Sequence, residues 1–171
     1  MSDQVPLSVS ADGNLKVLWV PAIADTTAPT IDEVTALEVV ELSCYLTADG
    51  WTPATDEQVS NDDRLCSKQT FEKRGRYTDT LSVTYVYQGQ ELTAEDNKAQ
   101  ATMQEGEAGF VVARWGADYA VPMAVADVVD VYTVECGIPV KQAPEANARL
   151  RIMQKLFVTN TTQRDKAIVA S

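Results

Sequence analysis

The chain has 171 residues and an ordinary 45% hydrophobic content, enough to bury one core without disulfides or a structural metal. It carries 25 acids against 14 bases, a formal net charge of −11, and no histidine. Such a surface repels nucleic acid and anionic lipid, and the missing imidazole removes the commonest general base and metal ligand at neutral pH.

The start, Met1-Ser2-Asp3-Gln4, lacks the basic and then apolar regions of a signal peptide. The apolar runs 17–24 and 119–126 stop at Asp25 and Asp127, short of a membrane span. Both features lead us to expect a chain made and kept inside a cell, with no membrane insertion.

Residues 14–20 read as a short apolar strand after the turn formers Asp12-Gly13, and 21–30, rich in Pro, Ala and Thr, as an extended surface segment. Thr30-Ile31-Asp32-Glu33 has capping-box spacing and opens a turn or two of helix. Residues 37–46 predict a strand ending in a turn on Asp49-Gly50 and Pro53. No periodicity runs through 47–63, so a long loop is expected there, with Trp51 exposed on it. Residues 79–88 alternate, with Leu81, Val83, Tyr85 and Tyr87 on one face and Thr80, Ser82, Thr84 and Val86 on the other. A helix should open at Thr93-Ala94-Glu95-Asp96, with Leu92, Ala99 and Met103 at helical spacing and Gly106 as its stop. Strands are expected at 110–115, 125–135 and 149–159, and a flexible tail, or one docked on a neighbour, at 160–171. The aromatics Trp19, Trp115, Tyr85 and Tyr87 fall on strands and belong to a core. The prediction is one domain over 1–171: mainly β, a sandwich or a barrel, with one moderate helix inserted between strands.

Charge is distributed in blocks. Between Lys16 and Arg64 there is no base, while ten acids occur: Asp25, Asp32, Glu33, Glu38, Glu41, Asp49, Asp56, Glu57, Asp62 and Asp63. The sign then reverses, with Arg64, Lys68, Lys73, Arg74 and Arg76 against Glu72 alone. Arg149, Arg151 and Lys155 form a second basic run, facing away from Leu150, Ile152 and Leu156. Two readings stay open: solvated faces that keep a monomer soluble, or complementary surfaces that meet head to tail between copies.

No residue set points to chemistry. Adjacent carboxylates such as Asp62-Asp63 or Asp56-Glu57 point apart, and nothing there would split their pKa values. Asp12-Gly13-Asn14 and Asn61-Asp62-Asp63 lack the spacing of a calcium loop. Cys44, Cys66 and Cys136 are too widely spaced for a metal site and read as free thiols. No catalytic residue, cofactor or metal is expected.

Four segments, 16–24, 44–51, 62–72 and 81–87, resemble the major tail tube proteins of long-tailed, siphovirus-type phages of actinobacteria, and the likeness extends over about 14–159. The resemblance implies a non-enzymatic virion protein: a sandwich flanked by a helix, closing into six-membered rings whose inner sheets merge into one β-barrel. The rings would stack around a tape-measure protein, which later leaves so that DNA can pass. Implied partners are further copies of the chain, the tape-measure protein, and the tail terminator and distal tail proteins. Assembly would occur in the host cytoplasm and the product would reside in the virion tail. No additional immunoglobulin-like domain fits in this length.

On that reading the contacts between copies should involve Trp51, Asp56, Glu57, Asp62, Asp63, Arg64, Lys68, Lys73, Arg74, Arg76, Arg149, Arg151 and Lys155. A conduit must not hold its cargo, so an acidic or neutral bore is expected, with Asp79, Asp127, Asp130 and Glu135 as its candidates and the basic run elsewhere. Two rivals remain: a β-sandwich capsid decoration or host-attachment module that stays a small oligomer, and a hydrolase working with carboxylates alone.

Overall fold

The computed structural model describes residues 5–91 and 95–171. Three strands are nearly continuous apolar runs: β1 (Leu15–Val20), β5 (Ala108–Trp115) and β6 (Val128–Cys136). Continuous rather than alternating hydrophobicity suits a strand covered on both faces. The others are β2 (Val40–Glu41), β3 (Leu46–Asp62), β4 (Phe71–Val86), β7 (Val140–Lys141), β8 (Arg151–Val158) and β9 (Gln163–Ala167). All join one antiparallel sheet in the order β2-β1-β5-β6-β8-β4-β3, with β7 added to β8 and β9 to β6.

That sheet is folded over on itself. In a flat sheet β6 and β3, three steps apart, would be separated by about 14 Å. Instead the rings of Trp51 on β3 and Tyr132 on β6 meet edge to face with centroids 5.8 Å apart. The concave side encloses Val17, Trp19, Leu81, Val83, Tyr85, Val111, Val134, Ile152 and Leu156, which come from both halves of the sheet. The convex side is covered over β1, β5 and β6 by a second cluster, in which Leu18, Val112 and Val131 meet Val34 and Ile168. Over β8, β4 and β3 the convex side is open. The fold is therefore mainly β, as expected, with the two layers belonging to one sheet.

The short helix α1 (Ile31–Thr35) starts at the predicted capping box: Glu33 N donates to Thr30 Oγ1 and Thr30 N donates to the Glu33 carboxylate. The second, α2 (Lys98–Thr102), follows a 3-10 turn at Glu95–Asn97 and turns Ala99 and Met103 into the concave cluster. The helix opening expected from Leu92 to Ala94 lies outside the described residues.

Three expectations need correction. Of 37–46, only Val40–Glu41 is strand before β3 begins. The expected loop 47–63 is strand β3, paired with β4 over nearly its whole length. Its turn formers Asp49-Gly50 sit inside the strand at a register shift between Leu46 and Trp51, where a side chain on Gly50 would collide with the Thr84 carbonyl. Pro53 is tolerated because the outer edge of β3 is unpaired. Finally, 160–171 is not a free tail: β9 pairs with β6, Ile168 is buried, and Val169 bridges to Thr30.

Candidate functional site

Beyond Leu81, β4 has no neighbour but β3. Residues 54–62 and 71–80, with the tip between them, form a two-stranded arm whose side chains are exposed on both faces over most of its length. Val59, Leu65, Phe71 and Tyr77 are all exposed on it. Between Glu57 and Val59 the register shifts, Gly75 lying against Gln58, where a Cβ would come 2.8 Å from the Gln58 carbonyl oxygen. Such a bulge bends the arm and strengthens its twist.

The basic block expected to reach other copies is largely satisfied within this arm. Asp62 takes Lys73 at 2.8 Å and also Arg64, and Arg74 pairs with Glu57 while lying 5.4 Å from the centre of the Tyr77 ring. Among the described residues no ion pair involves Lys68, Arg76, Asp56 or Asp63. Arg164 on β9 ties down the base of the arm, donating to Asp79 at 2.6 Å and to Thr55 Oγ1 at 3.1 Å. Burial pushes the Asp79 carboxyl up, but hydrogen bonds from Thr55 and Arg164 and the guanidinium charge outweigh it, and its pKa falls below the usual value. The same side of the arm base opens as a crevice of about 670 Å³ lined by Thr55, Glu57, Arg74, Tyr77 and Arg164.

Trp51, expected to be exposed, is half-buried and packs on the concave cluster. The four acids proposed for a bore are scattered. Asp79 shares the face of Leu81 and lies in the cleft between the sheet halves, beside Asp130, whose carboxylate accepts from Trp115 Nε1 and Asp165 N. Asp127 precedes β6 and is bound to Arg114. Glu135 alone lies on the open convex side, directly opposite Phe157. Lys155, opposite Ser82, and Arg151, opposite Val86, share that side. Arg151 pairs with Glu145 at 3.1 Å, and Arg149 lies before the strand rather than in it.

The sequence reading missed two buried cations. Lys16 and Arg114 are direct cross-strand partners on β1 and β5, 7% and 3% exposed. Lys16 Nζ donates to Tyr119 O and pairs with Glu41 at 3.3 Å. Arg114 donates to Pro122 O, Asp118 O and Val121 O and pairs with Asp127 at 2.8 Å. Together they clamp the loop between β5 and β6. A lone cation inside each of two apolar runs was the available signal. Burial raises the Asp127 carboxyl, but the Arg114 and Ala124 hydrogen bonds and the Arg114 charge leave it below the usual range.

Burial pushes the Cys136 thiol and the Tyr132 hydroxyl each up to about 12, so both stay protonated and unreactive at neutral pH. Among the described residues no group of three His, Cys, Asp or Glu side chains is placed to hold a metal. What this mainly β domain presents outward is a strand edge, an open sheet face and a projecting arm.

The model of a family described as phage tail tube protein matches residues 2–171. The chain belongs to that family and is a structural subunit of a phage tail. Among solved structures it resembles a chain of "Cryo-EM structure of the anti-feeding prophage (AFP) baseplate, 6-fold symmetrised", with 9% identity, a TM-score of 0.57, and coverage of 95% of this chain and 98% of that one. At that identity the likeness is one of fold. No curated protein sequence matches the chain.

Proposed function

We propose that copies of this chain close into six-membered rings, that the rings stack into the tail tube, and that DNA leaves through the bore. The unpaired outer edge of β3 carries the reading. This strand runs for 17 residues with a partner on one side only. A long free edge is a template for another chain, and closing a sheet into a barrel removes it. At the other side of the same half-sheet, β7 also has a single partner, β8. Joining β3 of one copy to β7 of the next gives a continuous wall built from β3, β4, β8 and β7.

The bore side of that wall is the open convex face. It presents Thr52, Ser82 and Thr84 with two bases, Lys155 and the Arg151 that Glu145 neutralises, and Glu135 of the adjoining β6 opposite Phe157. Hydroxyls with balanced charge bind few phosphates, so a duplex is not retained. Asp79, Asp127 and Asp130 are held elsewhere, and the wall is neutral rather than acidic. The arm stands clear of the body and reaches the next ring, since an isolated two-stranded hairpin is marginal in water without a third element. A tape-measure protein fills the bore before DNA, and terminator and distal tail proteins close the two ends.

Negative-stain microscopy of the concentrated protein tests this. Rings or tubes are expected from the whole chain. Replacing 57–77 by a two-residue turn should leave a folded chain that makes rings without long tubes. Monomers from the whole chain at every concentration, or normal tubes without the arm, would overturn the reading.

A further inference from the structure

Residues 5–10 have a strand pattern with no strand to join. Val5, Leu7 and Val9 alternate with Pro6, Ser8 and Ser10, which places the three aliphatic side chains on one side of an extended chain. They are 83%, 103% and 65% exposed. Among the described residues, 5–9 make no hydrogen bond to the body. The root of this segment, in contrast, is fixed. Gly13 turns with a φ of +73°, Asn14 N donates to Ala11 O at 3.3 Å, and the Asn14 amide donates to Ser10 O at 3.0 Å. Gly116 N and Tyr119 N donate to Asn14 O and Gly13 O, each at 2.9 Å, tying the root to the loop that Lys16 and Arg114 clamp. A clamped root holds the segment clear of its own body.

An apolar groove of about 350 Å³ opens where the folded sheet gapes, between the edge of β1 and the start of β3. Leu15, Val17, Leu46, Ala48 and Trp51 line it, with Tyr119 at one side. Its floor is continuous with the concave core, against which Leu15, Leu46 and Trp51 pack while only partly covered.

We propose that the Val5–Val9 segment of one copy seats in this groove of a second copy, so that neighbours exchange arms. The proposal rests on the reading of the chain as self-assembling. Each of the two features supplies what the other lacks. Three alternating aliphatic side chains need cover from water, and a groove with an apolar floor, lined among the described residues by none of 5–10, lies on the same molecule. The root residues Ala11, Asp12 and Gly13 line one end of the groove, yet Val5, Leu7 and Val9 of the same chain stay exposed outside it, so we assign the groove to another copy's segment. The polar side of the segment, Ser8 and Ser10, then faces outward.

The test uses a chain lacking residues 2–9, which keeps Ser10 and with it the hydrogen bonds of the clamped root, and a synthetic peptide of residues 2–13. Saturable binding by calorimetry is expected, weakened about tenfold or more by Leu7→Asp in the peptide. Ala48→Arg in the truncated chain should block binding while leaving its urea midpoint unchanged, because Ala48 is exposed at the groove. Absence of binding, or binding that ignores both changes, overturns the proposal. Tubes formed by the truncated chain without peptide binding would reject the groove and leave the tail-tube reading standing. Peptide binding by a whole chain that never polymerises would support the groove and count against the tube.

Discussion

Arg114→Met is the sharpest probe of what holds the body rigid. Methionine keeps an apolar stem under the loop between β5 and β6 but removes every donor. Four contacts end: Val121 O and Asp127 Oδ2 at 2.8 Å, Asp118 O at 2.9 Å and Pro122 O at 3.0 Å. The guanidinium is 3% exposed, but Asp127 is 28% exposed and Asp118, Val121 and Pro122 are exposed residues, so water takes over part of what is lost. Removing one partner from a fully buried ion pair costs about 3–5 kcal/mol, which bounds the cost here from above. One effect opposes it: Lys16 lies directly across the strands, and relieving like charges there returns at most about 1 kcal/mol. The loss should win, lowering the urea midpoint and dropping Tm by roughly 4–20 °C for a chain of this size. Urea melts followed by far-ultraviolet circular dichroism measure it, and adding Asp127→Asn should recover part of the loss by removing the stranded charge. A cost under about 1 kcal/mol, or no recovery in the double variant, would refute the clamp.

Two further predictions follow from the arm. Asp79 has its pKa lowered in the fold, so its contribution is complete above the ordinary value of 3.8 and is lost as pH falls through the lower folded value; Asp79→Asn should be less stable at pH 7 and its stability curve should meet that of the parent in acid, whereas curves parallel down to pH 2 would remove the Arg164 latch. Cys66, exposed at the arm tip, should react readily with maleimide in a Cys44→Ser chain and become protected on assembly, while buried Cys136 stays silent throughout; equal labelling of Cys66 in free chain and tube would mean that the tip docks on nothing.

Legibility followed burial. The inner face of β4 was readable because Leu81, Val83 and Tyr85 are almost wholly buried while their neighbours are half exposed, so alternation survives in the sequence. The capping box was readable because its bonds are local, three residues apart. β3 was not, since beyond Trp51 neither face of it is covered and no hydrophobic period is required there. Its Gly50 and Pro53 answer to a bulge and a free edge, which look like a loop without knowledge of the partner strand. β9, written Gln-Arg-Asp-Lys-Ala, pairs through its backbone and hides the strand in charge. The blocks of opposite charge were seen, but not that the hairpin brings Arg74 to Glu57, 17 residues away, a pairing that only register reveals.

The same register explains how an acidic chain can meet its own copies. Residues 56–76 hold five acids, Asp56, Glu57, Asp62, Asp63 and Glu72, and five bases, Arg64, Lys68, Lys73, Arg74 and Arg76. With Asp79 at its base, which Arg164 of β9 pairs, the arm is close to neutral, and nearly all of the net charge of −11 resides on the rest of the chain. Two bodies approaching one another repel, and the repulsion falls off over about 8 Å at physiological salt. An arm that projects from the body carries contact beyond much of that field without adding charge of its own. Its internal ion pairs then serve less to stabilise the monomer, where exposed pairs are worth about 0–1 kcal/mol, than to cancel the arm's charge along its length. Lys68 and Arg76, which have no ion partner among the described residues, are the ones left to choose a register if copies meet as proposed. In the proposed assembly a near-neutral arm and an acidic body divide the work: the body keeps free copies apart in solution, and the arm makes the contact that brings them together.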